Sequence, residues 1–176
     1  MATHDVRPTL DLQAGRAVFE EDLKRALALH GVETVEELGW RVDGRRRLLV
    51  PITGIHDGIV DEYLLRLEFQ TGRDWPPSAQ FVNPDTLKYV VGSDTGHLPR
   101  LGHPEVHVHP AYDSPTTSSK IQLICCSATF EYYDVKHGGD DAILWQSSDN
   151  FLVSLAAIRR AMASEHYQGR YPADVN

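Results

Sequence analysis

Residues 60–84 read VDEYLLRLEFQTGRDWPPSAQFVNP, and this stretch decides the fold. Tyr63, Leu65, Leu67 and Phe69 alternate with Leu64, Arg66, Glu68 and Gln70. Successive side chains of a strand point to opposite faces, so the first set lines one buried face. The strand cannot continue past Gly72, because Pro76 and Pro77 supply no amide donor to a ladder. Trp75 is the apolar anchor of this turn. The chain resumes extended at residues 79–82 and stops at Asn83-Pro84. Two apolar runs joined by a short turn predict an antiparallel pair.

Upstream, Asp43-Gly44 and His56-Asp57-Gly58 are hairpin-type turn signals. They separate strands at 40–42 and 47–52 from the central one, giving an antiparallel meander of about four strands. Pro51 points to an edge position. Residues 34–38 form one short helical turn before Gly39. An N-terminal helix starts from a cap at Thr9 or Asp11 and runs to His30, with Gly31 as its stop. Leu12, Phe19, Leu23, Ala26 and Leu27 share one face, while Glu20, Asp22, Lys24 and Arg25 take the other. Residues 1–8 read as a flexible tail, and residues 9–176 as a single domain.

Downstream the pattern breaks. Residues 85–120 are rich in Gly, Pro, Ser, Thr, Asp and His, and read as a long irregular connection. Within it 87–91 and 105–109 are candidates for short strands. Residues 121–133 are apolar, 136–141 form a polar loop, and 147–150 are a cluster of N-cap residues. Phe151, Leu155, Ile158 and Met162 then make the buried stripe of a C-terminal helix, with Leu152 beside them and Gly169 as its end. Strands followed by helices define an α+β class.

A chain of 176 residues fits one domain and can bury a core without metal or disulfide staples. The net charge of −8 argues against nucleic acid as a partner. No run approaches the roughly 20 apolar residues of a membrane span, and the first residues hold no signal-peptide core. A cytoplasmic protein with no membrane partner is expected. The cysteines, Cys125 and Cys126, are neighbours. Adjacent Cα atoms lie about 3.8 Å apart, less than a disulfide normally spans, so these are thiols. Neighbours on an extended segment point to opposite sides, so one thiol faces outward and the other joins the core. Glu105, His107 and His109 would share a strand face, and such side chains suit zinc. No further cysteine or acid completes a set at recognisable spacing, so no metal or cofactor is expected.

The series Tyr-x-Leu-x-Leu-x-Phe, Trp-Pro-Pro and Ala-x-Phe-Val-x-Pro resembles the central strands of ubiquitin-conjugating enzymes. The His-Pro pairs, Ile124-Cys125, Trp145 and the final helix follow in that family's order. The resemblance implies a UBC-like fold: an N-terminal helix, a four-stranded meander, a long loop bearing the cysteines, and a C-terminal helix. It also implies a function. An activating enzyme hands a ubiquitin-like modifier protein to a cysteine as a thioester, and the modifier passes to an amine. Cys125 is the first choice of acceptor by its match to Ile-Cys, and Cys126 the second. The family's His-Pro-Asn is represented by His103-Pro104-Glu105 and His109-Pro110-Ala111, so His103 and His109 are candidates. Both motifs lack the Asn, and an ionised Glu105 cannot donate in its place. Alternatives are a non-catalytic UBC-like module that binds a ubiquitin-like protein, and a histidine-based metal-binding protein.

Overall fold

The alternating run at 63–69 lies in the middle of an antiparallel sheet. A computed structural model of the chain describes residues 7–114, 117–135 and 143–173. The first sheet is the meander β1 (Arg41–Asp43), β2 (Arg47–His56), β3 (Ile59–Glu68) and β4 (Ser78–Val82), in sequence order. Tyr63, Leu65, Leu67, Phe69 and Phe81 are all buried, as the alternation requires. Pro51 lies beyond Leu49, the last β2 residue that pairs with β1, so its missing amide leaves no gap between those strands.

Helix α1 (Leu12–His30) packs on this sheet. Asp11 caps it by accepting from Ala14 N, and Gly31 ends it at φ 66°. Its buried stripe is Gly15, Phe19, Asp22 and Ala26, with Leu23 and Leu27 half-buried. Leu12 remains exposed at 52%. Asp22 is the departure from expectation. It points inward because Arg73, from the turn after β3, brings Nη1 to 2.7 Å from its Oδ1. Gly15 is required where α1 crosses the end of β3. A Cβ there would stand 2.4 Å from the Phe69 carbonyl oxygen.

Residues 85–120 are more ordered than their composition suggests. They contain β5 (Pro99–His103) and β6 (Val106–Asp113), with a 3₁₀ turn at Thr95–His97. With β7 (Lys120–Cys125) and β8 (Tyr167–Arg170) these strands build a second antiparallel sheet of order β7-β6-β5-β8. The candidate strand at 105–109 is present as β6 but starts at Val106, with Glu105 in the turn before it, and it runs on to Asp113, whereas 87–91 is not a strand. The cysteines sit at the end of β7 rather than in a long irregular loop. The C-terminal helix also differs. α3 (Phe151–Met162) stops well before Gly169, and the chain returns as β8. Ser164 Oγ takes the Ala161 carbonyl at 2.7 Å, which closes the helix end. Tyr167 then buries its ring over Gly54 and meets the Tyr63 hydroxyl at 2.8 Å.

The two sheets are joined by a side chain. Gln122 of β7 accepts from Phe81 N (2.7 Å) and donates to Phe81 O (2.8 Å), standing in for a strand at the β4 edge. One hydrophobic cluster runs from Phe19 through Trp40, Leu65 and Val108 to Phe151, Ile158 and Tyr167. Among the described residues no helix is long and apolar enough to cross a membrane. Of the expected tail, residues 1–6 lie outside the described residues, as does the expected loop at 136–141.

Candidate functional site around Cys125

Ile124, Cys125 and Cys126 carry β7 into a turn, and alternation assigns their directions. Ile124 and Cys126 are 0% and 2% exposed and belong to the core, whereas Cys125 is half-buried. The turn that follows is held at almost every carbonyl. Thr129 Oγ1 lies 2.9 Å from Ile124 O and 2.8 Å from Cys126 O, so its one proton serves both. The Tyr133 hydroxyl donates to Ser127 O at 2.7 Å, and Ser154 Oγ of α3 donates to Ala128 O at 2.6 Å. The short helix α2 (Phe130–Asp134) starts immediately afterwards. Trp75 of the Trp-Pro-Pro turn packs edge-on to Tyr133, at 5.3 Å between ring centroids. The turn after β3 thus buttresses the turn after the cysteines.

Burial separates the two thiols chemically. It pushes the Cys126 thiol up to about 11, so at neutral pH Cys126 is a protonated, apolar group. Neither cysteine is in a disulfide.

The register of the second sheet supplies the neighbours of Cys125. Cys125 stands directly opposite His107, and His107 stands directly opposite Gly102. Directly opposed residues point to the same face, with Cβ atoms about 4.5–5.5 Å apart. Gly102, His107 and Cys125 therefore form a row across β5, β6 and β7. Val108 and Ile124, the adjacent opposed pair, belong to the main hydrophobic cluster, so the row lies on the other face of the sheet, where Leu123 opposite His109 is itself fully buried. His107 is exposed. His109 lies on the same face two residues along, and its ring stacks on that of His107 at 4.1 Å and 19°. Tyr112 continues the ledge, with its ring centroid 5.5 Å from that of His109. A Cβ placed on Gly102 would meet nothing within 4 Å, so the floor beside His107 is open.

The other sequence candidates are placed elsewhere. His103 is in register with Val106, which puts it on the opposite face from Cys125. Its Nδ1 accepts from Glu105 N at 3.1 Å, and its ring meets His166 edge-on at 5.2 Å. That is the work of a residue that shapes the β5–β6 turn. Glu105 turns toward α3, where Arg160 lies 3.4 Å away, and does not join His107 and His109. Among the described residues no three histidine, cysteine or carboxylate side chains gather as a metal site. Lys120 sits at the far end of β7 and pairs with Asp113 at 3.1 Å. Two clefts, of about 360 and 380 Å³, lie against the first sheet and share Pro51, Leu64 and Pro84; neither is lined by β6 or β7.

Glu131 lies one turn beyond the cysteines and is buried. Ser78 Oγ donates to one carboxylate oxygen and Ala79 N to the other at 3.2 Å. Burial nevertheless prevails and pushes the carboxyl up to about 7.

Sequence reading missed the His107–Cys125 pair. The His-Val-His alternation was a usable signal for a strand with imidazoles on one face. What it lacked was the pairing of β6 with β7, a non-local fact. Comparison of the chain with family models, curated proteins and solved structures finds no match.

Proposed function

We propose that the chain is a UBC-like thioester carrier, with Cys125 as the acceptor of a ubiquitin-like modifier. The observation that carries this reading is the division between the cysteines. Cys125 is partly exposed on the sheet face away from the main core, and Cys126 is a core residue with a suppressed thiol. In the proposed loading step, Cys125 as thiolate attacks the acyl carbon of the modifier's thioester on an activating enzyme, and the donor thiol leaves. The product is a second thioester, labile enough to be taken over by an amine. The order of elements up to α3 supports the same reading: an N-terminal helix, a meander with a Trp-Pro-Pro turn, a cysteine after the His-Pro pairs, and then a helix, which β8 follows. No metal or cofactor enters either step.

The experiment combines the protein with an activating enzyme, a ubiquitin-like modifier and ATP, and resolves the products with and without reductant. A reductant-sensitive adduct is expected on wild type. Cys125→Ser should abolish it or convert it to a reductant-stable ester, and Cys126→Ala should retain it. Alanine is preferred at 126 because a serine hydroxyl would be buried there without an assured partner. Adduct formation that survives Cys125→Ser and disappears in Cys126→Ala would assign the role to the second cysteine. No adduct on any form would favour the non-catalytic module that binds a ubiquitin-like protein.

A further inference from the structure

We propose that His107 is the proton acceptor for the amine that discharges Cys125. The proposal rests on the carrier reading above and names the residue that serves its second step. Three observations on the second sheet support it. His107 is the cross-strand partner of Cys125 on the same face of the sheet, and His107 itself is exposed. Its ring is stacked on that of His109, which restrains its orientation. On its other side Gly102 leaves open space where any larger residue would intrude. A nucleophile approaching the acyl group on Cys125 over this row passes beside the imidazole. Across the sheet His107 faces Cys125 of β7 and Gly102 of β5, and His109 adjoins it on its own strand. Glu105 and His103 are engaged elsewhere.

The step balances without a further reactant. The amine nitrogen bonds to the acyl carbon, and the carbon–sulfur bond breaks with its electron pair returning to Cys125 Sγ. The proton lost by the nitrogen passes to the neutral imidazole of His107. The imidazolium then returns that proton to the thiolate or to solvent. A positioned base of this kind contributes about 10²–10⁴-fold to a rate.

The test uses a small probe, the mercaptoethanesulfonate thioester of N-acetyl-glycylglycine, on the full-length chain carrying Cys126→Ala. The probe loads Cys125 by thiol exchange, excess reagent is removed, and ethanolamine is added. Intact-mass spectrometry follows loss of the acyl adduct, and chromatography quantifies the amide product. The proteins with His107 and with His107→Gln are compared at the same pH and amine concentration, so that titration of the amine cancels. The expected result is equal loading, with amide formation slowed by on the order of 10²-fold in His107→Gln. Free imidazole should restore part of the rate to His107→Ala. Gly102→Ala, whose Cβ meets nothing within 4 Å, should leave ethanolamine discharge close to wild type, whereas larger residues at 102 should slow bulky amines more than ethanolamine. Equal amide rates in wild type and His107→Gln would overturn this inference while leaving the carrier reading intact. A slowed His107→Ala that imidazole does not rescue would also overturn it. Failure of the probe to load Cys125 at all would overturn the carrier reading, and this step with it.

Discussion

Glu131 should make the protein less stable as the pH rises from acid to neutral, and Glu131→Gln should remove that dependence. The carboxyl is buried beneath the cysteine turn, with Ser78 Oγ on one oxygen and Ala79 N on the other. Burial outweighs these two hydrogen bonds and the attraction of Arg66, raising the group from its ordinary 4.5 to about 7. In this window the folded chain keeps a proton that the unfolded chain has lost, so the stability of the fold falls with rising pH. Below 4.5 both states hold the proton and Glu131 imposes no cost. Above about 7 both states are ionised, and the full cost persists. At about 1.4 kcal/mol per pH unit, the window from 4.5 to about 7 amounts to about 3 kcal/mol.

Glutamine fits the same site, with its oxygen accepting from Ala79 N and its amide donating to Ser78 Oγ. Urea unfolding at pH 5 and pH 8 measures the effect. The stability difference between Glu131→Gln and wild type should move by about 2.5 kcal/mol in favour of the variant between these pH values, since a part of the effect is already present at pH 5. Comparing the two proteins cancels other acids, such as Asp22, whose carboxyl is also raised by burial. Parallel stability curves for the two proteins from pH 4.5 to 8 would refute the reasoning.

Arg73→Ala removes the cation from buried Asp22 and should cost about 3 kcal/mol or more in chemical unfolding, with Asp22→Leu recovering much of the loss. Gly15→Ala should lower the thermal midpoint: alanine favours a helix by about 1 kcal/mol, but overpacking a backbone carbonyl 2.4 Å away costs about 1–3 kcal/mol and wins. Iodoacetamide at pH 8 should alkylate Cys125 and spare Cys126, read by peptide mapping; equal labelling would remove the basis for separating the two thiols.

What could be read from the sequence is what depends on local period. The alternation at 63–69, the two glycine turns, the Asp11 and Asn150 caps and the Phe151–Met162 stripe all encode their own structure within a few residues. The second sheet could not be read that way. β5, β6 and β8 carry histidine, proline or glycine among few apolar residues, and all four strands find their faces only by pairing with distant segments. β8 is the extreme case, since Tyr167-Gln168-Gly169-Arg170 reads as a helix end until Tyr63 and Asp61 take the Tyr167 hydroxyl, at 2.8 and 2.7 Å. Asp22 was hidden for the same reason, because its partner Arg73 lies in a turn that looks solvated. At the candidate site the thiols were visible as neighbours, but the companion of Cys125 was not. Glu105, His107 and His109 are equally spaced in the sequence, and only the β5–β6 turn and Arg160 draw the first away from the other two.

The placement of Cys125 follows from its two neighbours more than from its own contacts. Ile124 and Cys126 are both anchored in the core, one on each side of it. Swinging Cys125 inward would require at least one of them to leave, and exposing an isoleucine alone costs about 2 kcal/mol. It would also break the Thr129 bonds to the Ile124 and Cys126 carbonyls. The thiol is thus presented by a segment that resists rotation, at the point where a strand becomes a turn. Such rigidity favours a carrier over a freely attacking nucleophile. Under the proposed carrier reading, the acyl group would be held facing His107 until an amine arrives, with the space beside Gly102 open to that amine.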